Sequence, residues 1–209
     1  QVKTAVLLSG LKLDNMLTVD CELESRDHTE RLLEYLKFNF SRHNNVFKIK
    51  NSKHMKPFNF HVPGDISNAS FIIAAALLIP NSEVVIKNTL DNYTRNGFLE
   101  ALVSMGAKIK KINKRIEYNE NICDLKVSYT KYLTGIIIKK EQLIRMIDEV
   151  PIFAVVASQA QGVSEITGGE ELRLKESDRI AAICKNFKLL GVDIKERKDG
   201  FKIIGKKIN

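Results

Sequence analysis

Residues 102–112 read LVSMGAKIKKI, and residues 188–196 read KLLGVDIKE. Each carries an apolar stretch of helical period up to a glycine, Gly106 in one and Gly191 in the other. Each then turns at once into apolar–polar alternation. Glycine stops a helix because it takes the left-handed conformation without a side-chain clash. Period-two alternation marks a strand with one face buried. Two copies of the same helix–stop–strand pattern in one chain imply an internal repeat.

The surroundings of the copies agree. Before the first come NASFIIAAALLI (68–79), apolar on nearly every side, and SEVVIKN (82–88). The former predicts a helix buried all round and the latter a strand. GFLEALVSMG (97–106) predicts an amphipathic helix, and AKIKKI and RIEY two short strands. Around the second copy, IDEVP (147–151) leads into another apolar helix, PIFAVVASQA, and then a strand, VSEITG (163–168). SDRIAAICKNFKLLG (177–191) predicts a helix with Ile180, Ile183, Phe187 and Leu190 on one face. VDIKER and GFKIIG then close a hairpin around Asp199-Gly200, a strong turn signal.

The opening third is a looser copy. It reads as a helix over 2–11, a strand TVDCEL (18–23), an amphipathic helix DHTERLLEYLKF (27–38) and a strand FKIK (47–50). Leu32, Leu33 and Leu36 form the apolar stripe of that helix, and Asp27 or Thr29 can cap it. FNFHV (58–62) alternates like another strand, and VPGD (62–65) is a turn. Repeated units stack so that each buries its neighbour's apolar helix. Three such units, with an extended crossing segment near 59–65, predict an α+β protein containing parts of two domains.

Composition narrows the function. The 209 residues carry 33 Lys and Arg against 25 Asp and Glu, a formal charge of +8. That excess admits a basic nucleic-acid-binding module. Against it, the lysines are scattered, and no basic run is interleaved with aromatics. A solvated, Lys-rich surface or a small polyanionic substrate explains the charge better, so no nucleic-acid partner is expected. No run of 18 or more apolar residues predicts a membrane span. Cys21, Cys123 and Cys184 are far apart, which suits a reducing cytoplasm. His28, His43, His54 and His61 show no ligand spacing, so no metal is indicated. The chain opens inside an apolar pattern without an initiator Met, as a fragment or processed product would.

Three stretches could carry chemistry. LRLKESDRI (172–180) packs Arg173, Lys175, Glu176, Asp178 and Arg179 around a helix start capped by Ser177 or Asp178. Such a helix end, flanked by Lys and Arg, can hold phosphate or carboxylate, and Glu176 there could carry a proton. An ordinary charged helix end is the plainer reading. Asp148 and Glu149 precede Pro151, again ordinary helix-start chemistry, or else a carboxylate base at the mouth of a cleft. VPGDISNAS resembles a phosphate-binding turn only weakly, and helix capping by Asp65, Ser67 or Asn68 suffices to explain it.

In combination these stretches resemble a known family. QVKTA (1–5), SRDHTE (25–30), VPGDIS (62–67), IDEVP (147–151) and LRLKESDR (172–179) occur in the order found in 5-enolpyruvylshikimate-3-phosphate synthases. KESDR is the most specific of them. VPGD is shared with the related UDP-N-acetylglucosamine enolpyruvyl transferases, the alternative against which KESDR and SRDHTE argue. The resemblance implies an α-β prism fold of two domains, each built from βαβαββ units, with the site between them. It assigns 1–61 to the last part of one domain and 62–209 to two units of the other.

It further implies transfer of an enolpyruvyl group from phosphoenolpyruvate to the 5-hydroxyl of shikimate 3-phosphate, with release of phosphate. By position, Asp148 would be the base and Glu176 the proton donor. Lys175, Asp148, Gln1, Ser25 and Arg26 would hold shikimate 3-phosphate, and Gln1 and Arg179 phosphoenolpyruvate. No cofactor or metal, a monomer and a cytoplasmic setting are implied. Several of the family's anion-binding cations have no counterpart in these residues. The chain by itself is therefore expected to have little or no activity, or to be a remnant that keeps the fold.

Overall fold

A computed structural model describes residues 1–21, 25–51 and 57–206. The chain divides into two compact units. One comprises Gln1–Pro63 and Arg115–Ile122, the other Gly64–Lys114 and Cys123–Asn209.

The first unit contains α1 (Val2–Gly10), β1 (Leu17–Asp20), α2 (His28–Tyr35), β2 (Phe40–His43) and β3 (Val46–Ile49). Its sheet has the order β1-β3-β2, antiparallel throughout. Leu7, Leu33, Phe47 and Ile49 form its core. Asp27 stands at the N-cap of α2 but makes no cap hydrogen bond. Its Oδ2 instead accepts from Arg31 Nε at 2.9 Å. His28 Nδ1 meets Glu120 Oε1 at 2.6 Å, and Arg31 Nη1 donates to the Asn119 carbonyl at 2.9 Å. The fully buried Glu30 pairs with Lys3. The Glu22-Leu23 end of the expected first strand lies outside the described residues.

The second unit holds the two clear repeats, except that residues 115–122, the end of β5 and the start of β6, fall in the first unit. The first is α3 (Ile66–Leu78), β4 (Glu83–Leu90), α4 (Gly97–Ser104), β5 (Lys108–Glu117) and β6 (Glu120–Ser128). The second follows β7 (Ile137–Ile138) and the short α5 (Lys140–Leu143). It comprises α6 (Val150–Ser158), β8 (Gly162–Ile166), α7 (Arg179–Leu189), β9 (Asp193–Arg197) and β10 (Gly200–Gly205). The sheets run β4-β6-β5 and β7-β8-β10-β9. Every repeat thus lays its third strand between its first and second, as β1-β3-β2 does. The parallel entry is repeated too. Gly64 bridges Thr89 in parallel ahead of α3, and β7 pairs in parallel with β8 beside α6.

The apolar helices α3 and α6 pack on each other. Ile66, Ile73 and Leu77 on α3 and Phe153, Val156 and Ala157 on α6 lie in one core with Phe98, Leu102, Ile180 and Phe201. Four expectations need correction. The α3 helix is not buried all round, because Phe71, Ile72 and Ile79 stay 61%, 54% and 56% exposed on one stripe. AKIKKI and RIEY are one continuous strand, β5, paired with a β6 whose residues gave no clear alternation. FNFHV forms no strand; Phe60 packs on Tyr118, and the His61 N–H reaches the Tyr118 hydroxyl at 3.3 Å. Leu190 is 76% exposed, since it sits past the end of α7 rather than on its buried face.

Candidate functional site

Asp178 starts α7. Its Oδ1 accepts from the Ala181 N–H at 2.9 Å, so Asp178 rather than Ser177 is the cap. Its Oδ2 accepts from Arg173 Nη1 at 2.7 Å. The capping N–H and the guanidinium together hold the Asp178 carboxyl below the usual carboxylate range. Between them, Lys175, Glu176 and Ser177 form an exposed bend leading into the helix.

Arg179 is the hub. Its Nη2 donates to Glu176 Oε2 at 3.3 Å, and its Nη1 to Asp148 Oδ1 at 3.4 Å and to the Ile147 carbonyl at 3.3 Å. Sequence positions 31 and 3 residues away are thereby gathered onto one guanidinium. The structure brings together Asp148, Glu176 and Arg179, with Lys175 adjacent in the chain. Glu176 is held below the usual carboxylate range, first by its own backbone N–H and then by Arg179. Its side chain is 86% exposed.

Asp148 is carried to this place by the turn before α6. Glu149 caps that helix by position, and Pro151 occupies its first turn, where a missing N–H costs nothing. The Glu149 side chain goes inward. It is 2% exposed, and one of its carboxylate oxygens has no hydrogen-bond partner. Burial raises its pKa, opposed by the Ser67 hydroxyl and Arg95. Arg95 Nη2 also donates to Asp65 Oδ1 at 2.7 Å and to Ser67 Oγ at 2.6 Å. Asp65 caps α3 through the Ser67 N–H at 3.2 Å. The VPGD turn, read from sequence as a helix cap, is therefore a cap that also receives Arg95. Arg95 did not stand out in the sequence, and the acidic pair Asp148-Glu149 gave no sign that Glu149 turns inward. Arg95 lies in a polar NYTRNG stretch with no periodicity, and its significance depends on a fold-level approach of three segments.

Gln1, Ser25 and Arg26 belong to the other unit, where all three are exposed. Gln1 immediately precedes α1, and its carbonyl accepts from the Ala5 N–H at 2.9 Å. Ser25 and Arg26 lead into α2.

Among the described residues no group of His, Cys, Asp and Glu is placed to hold a metal ion, and no helix is long and apolar enough to cross a membrane. The site is a set of cations and carboxylates at a helix start, suited to binding a small anion and moving a proton.

The chain has known relatives in both sequence and fold. The sequence matches the EPSP synthase (3-phosphoshikimate 1-carboxyvinyltransferase) family over residues 1–209. It is 44% identical over 209 residues to the 3-phosphoshikimate 1-carboxyvinyltransferase of Persephonella marina, covering 99% of this chain and 48% of that protein. It is 45% identical over 206 residues to that of Petrotoga mobilis, again covering 98% and 48%. The chain thus spans about half the length of the relatives it matches. An EPSP synthase structure from Acinetobacter baumannii superposes with a TM-score of 0.92 at 34% identity, covering 99% of this chain and 46% of that one. The enolpyruvyl transferase NikO from Streptomyces tendae shares the fold, with a TM-score of 0.69 at 13% identity, covering 95% and 45%. Matched to the family over its whole length and to its solved structures in fold, the chain belongs to the EPSP synthase family of enolpyruvyl transferases.

Proposed function

We propose that this chain carries part of the site that transfers the enolpyruvyl group of phosphoenolpyruvate to the 5-hydroxyl of shikimate 3-phosphate, releasing phosphate. The observation that carries the reading is the triangle of Asp148, Arg179 and Glu176. A candidate base and a candidate acid sit on one guanidinium that can be transferred to a substrate carboxylate. In this reading the prism domains divide at residues 1–61 and 62–209.

The chemistry sets the roles. The hydroxyl oxygen bonds to C2 of phosphoenolpyruvate while C3 gains a proton. The product keeps its carbon–carbon double bond, so C3 later loses a proton as the bond from C2 to the phosphate oxygen breaks. Asp148 takes the hydroxyl proton, and Glu176 delivers the proton to C3. Arg179 grips the phosphoenolpyruvate carboxylate with its planar fork. Lys175 supplies a point charge to shikimate 3-phosphate. Gln1 touches both substrates, and Ser25 and Arg26 serve the shikimate phosphate.

A proton donor works best with its pKa near the working pH. Glu176 is held below the usual carboxylate range by its own backbone N–H and by Arg179. Once phosphoenolpyruvate engages Arg179, that cation is shared and a polyanion lies beside Glu176. Both effects raise its proton affinity. In this reading the substrate itself raises the proton affinity of the acid that protonates it.

A monomer completes the proposal, as does a cytoplasmic setting, which is supported by free cysteines of which Cys123 and Cys184 are buried. Burial pushes both thiols up to about 11.

Titration of the protein with phosphoenolpyruvate, alone and with shikimate 3-phosphate present, tests the reading by 31P NMR. Each ligand is expected to strengthen the other's binding. Saturation by UDP-N-acetylglucosamine instead would transfer the assignment to the other enolpyruvyl transferases.

A further inference from the structure

The loop that bears Lys175 and Glu176 is anchored to a turn distant in sequence. The strands β9 and β10 are joined by Lys198 and Asp199, with Arg197 paired to Gly200. That turn receives the loop at both its beginning and its middle. At the beginning, the Gly168 N–H donates to Asp199 Oδ2 at 2.8 Å, and the Gly169 N–H to the Asp199 carbonyl at 2.7 Å. At the middle, Arg173 spreads its guanidinium over the same turn. Its Nε donates to the Lys198 carbonyl at 2.7 Å, and its Nη2 to the Arg197 carbonyl at 2.5 Å and Glu196 Oε1 at 3.0 Å. Its Nη1 goes to Asp178, the α7 cap, at 2.7 Å.

Arg173 was one of the cations that the sequence offered for anion binding. Its donors are already directed at two carboxylates and two carbonyls, so it is committed to the protein. Lys175, two residues on, is exposed, and Arg179 holds its partners by contacts of 3.3–3.4 Å. The two kinds of cation divide the work.

Gly200 belongs to the same device. A Cβ at that position would lie 2.0 Å from the Ile166 carbonyl oxygen. Its smallness lets the turn close against the end of β8, where the loop departs. Gly168 takes φ +72°, the left-handed region that glycine favours, and this lets its N–H face Asp199. The Asp199-Gly200 signal read as a hairpin turn therefore has a second purpose.

We propose that Asp199 and Arg173 are positioning residues of the site: the β9–β10 turn is the template that holds loop 168–178 in the shape presenting Lys175 and Glu176 to a phosphorylated substrate. This rests on the reading of that loop as substrate-binding. Neither residue touches substrate, and each acts through the loop.

The experiment compares Asp199→Ala, Asp199→Asn and Arg173→Lys with the parent protein. Amide hydrogen exchange is read at Gly168, Gly169 and Leu172, whose N–H groups are hydrogen-bonded in this loop, and phosphoenolpyruvate binding by 31P NMR. In Asp199→Ala the loop amides should exchange about tenfold faster or more, the worth of a hydrogen bond to a charged group. Ile203 in β10 and Val156 in α6 should keep their rates. Binding should weaken about fivefold or more over the same comparison. Asp199→Asn retains an acceptor oxygen and should restore both. Arg173→Lys cannot span four acceptors with one nitrogen and should not. Unchanged loop exchange in Asp199→Ala overturns the template, as does equal acceleration in loop and core. Loosened loop amides with unchanged binding overturn the positioning role. If the parent binds no phosphoenolpyruvate, the substrate reading fails, and the exchange data still decide whether the turn holds the loop.

Discussion

Replacing Arg179 by Gln separates a substrate grip from a structural clamp. The guanidinium makes three contacts, all at 3.3–3.4 Å, near the long limit for a hydrogen bond. One partner, Glu176, is 86% exposed and another, Asp148, has 40% of its side chain exposed. Solvent-screened pairs of this kind add little to folding. The melting temperature should move by no more than about 2 °C. A bidentate bond to a substrate carboxylate is different, because charge-assisted bonds in a binding site contribute about 1.5–3 kcal/mol. Its loss should weaken phosphoenolpyruvate binding roughly 10- to 150-fold. Arg179→Lys, which keeps the charge and loses the fork, should fall between. Thermal melts and 31P NMR titrations of the three proteins provide the comparison. Binding within twofold of the parent, or a melting point many degrees lower, would refute the reasoning.

Two further outcomes concern the fold that holds the site. Phe153 is fully buried and Phe71 is 61% exposed. Phe153→Ala should cost about 3–5 kcal/mol in urea unfolding, and Phe71→Ala well under half of that, unless the α3 stripe is covered in solution. Burial raises the pKa of Glu149 above its unfolded value, so its contribution is intact below the unfolded pKa and is lost as pH rises through the folded one. The stability difference between the parent and Glu149→Gln should therefore tilt against the parent as pH rises above the ordinary glutamate range, by at most about 1.4 kcal/mol per pH unit. Parallel stability curves for the two proteins would remove Glu149 from the account.

The repeats could be read from sequence because each level of the signal agreed. Gly106 and Gly191 do end their helices, both with positive φ, and the alternation after each is a strand. The helix start at KESDR was legible for the same reason, since its cap, Asp178, is local. What lay beyond reach depends on contacts distant in the chain. Family resemblance aside, Arg173 and Arg179 look alike in LRLKESDRI, and the position of the β9–β10 turn is what commits Arg173 to the protein. The exposed stripe of α3 was hidden because apolar residues occupy every face of NASFIIAAALLI, so no period distinguished Phe71 from Ile73. β6 escaped because Asp124 lies within it. That carboxylate accepts from the Asn88 N–H and from Asn113, a polar partner set visible only once β4, β5 and β6 are side by side.

Phosphate release from phosphoenolpyruvate and shikimate 3-phosphate, measured with the protein as its host makes it and with an Asp148→Asn variant, bears most directly on the claim that this site performs enolpyruvyl transfer. The account predicts release that requires both substrates and falls about 100-fold or more in the variant, as the loss of a positioned base demands. Release that ignores shikimate 3-phosphate, or that survives undiminished in Asp148→Asn, would contradict it.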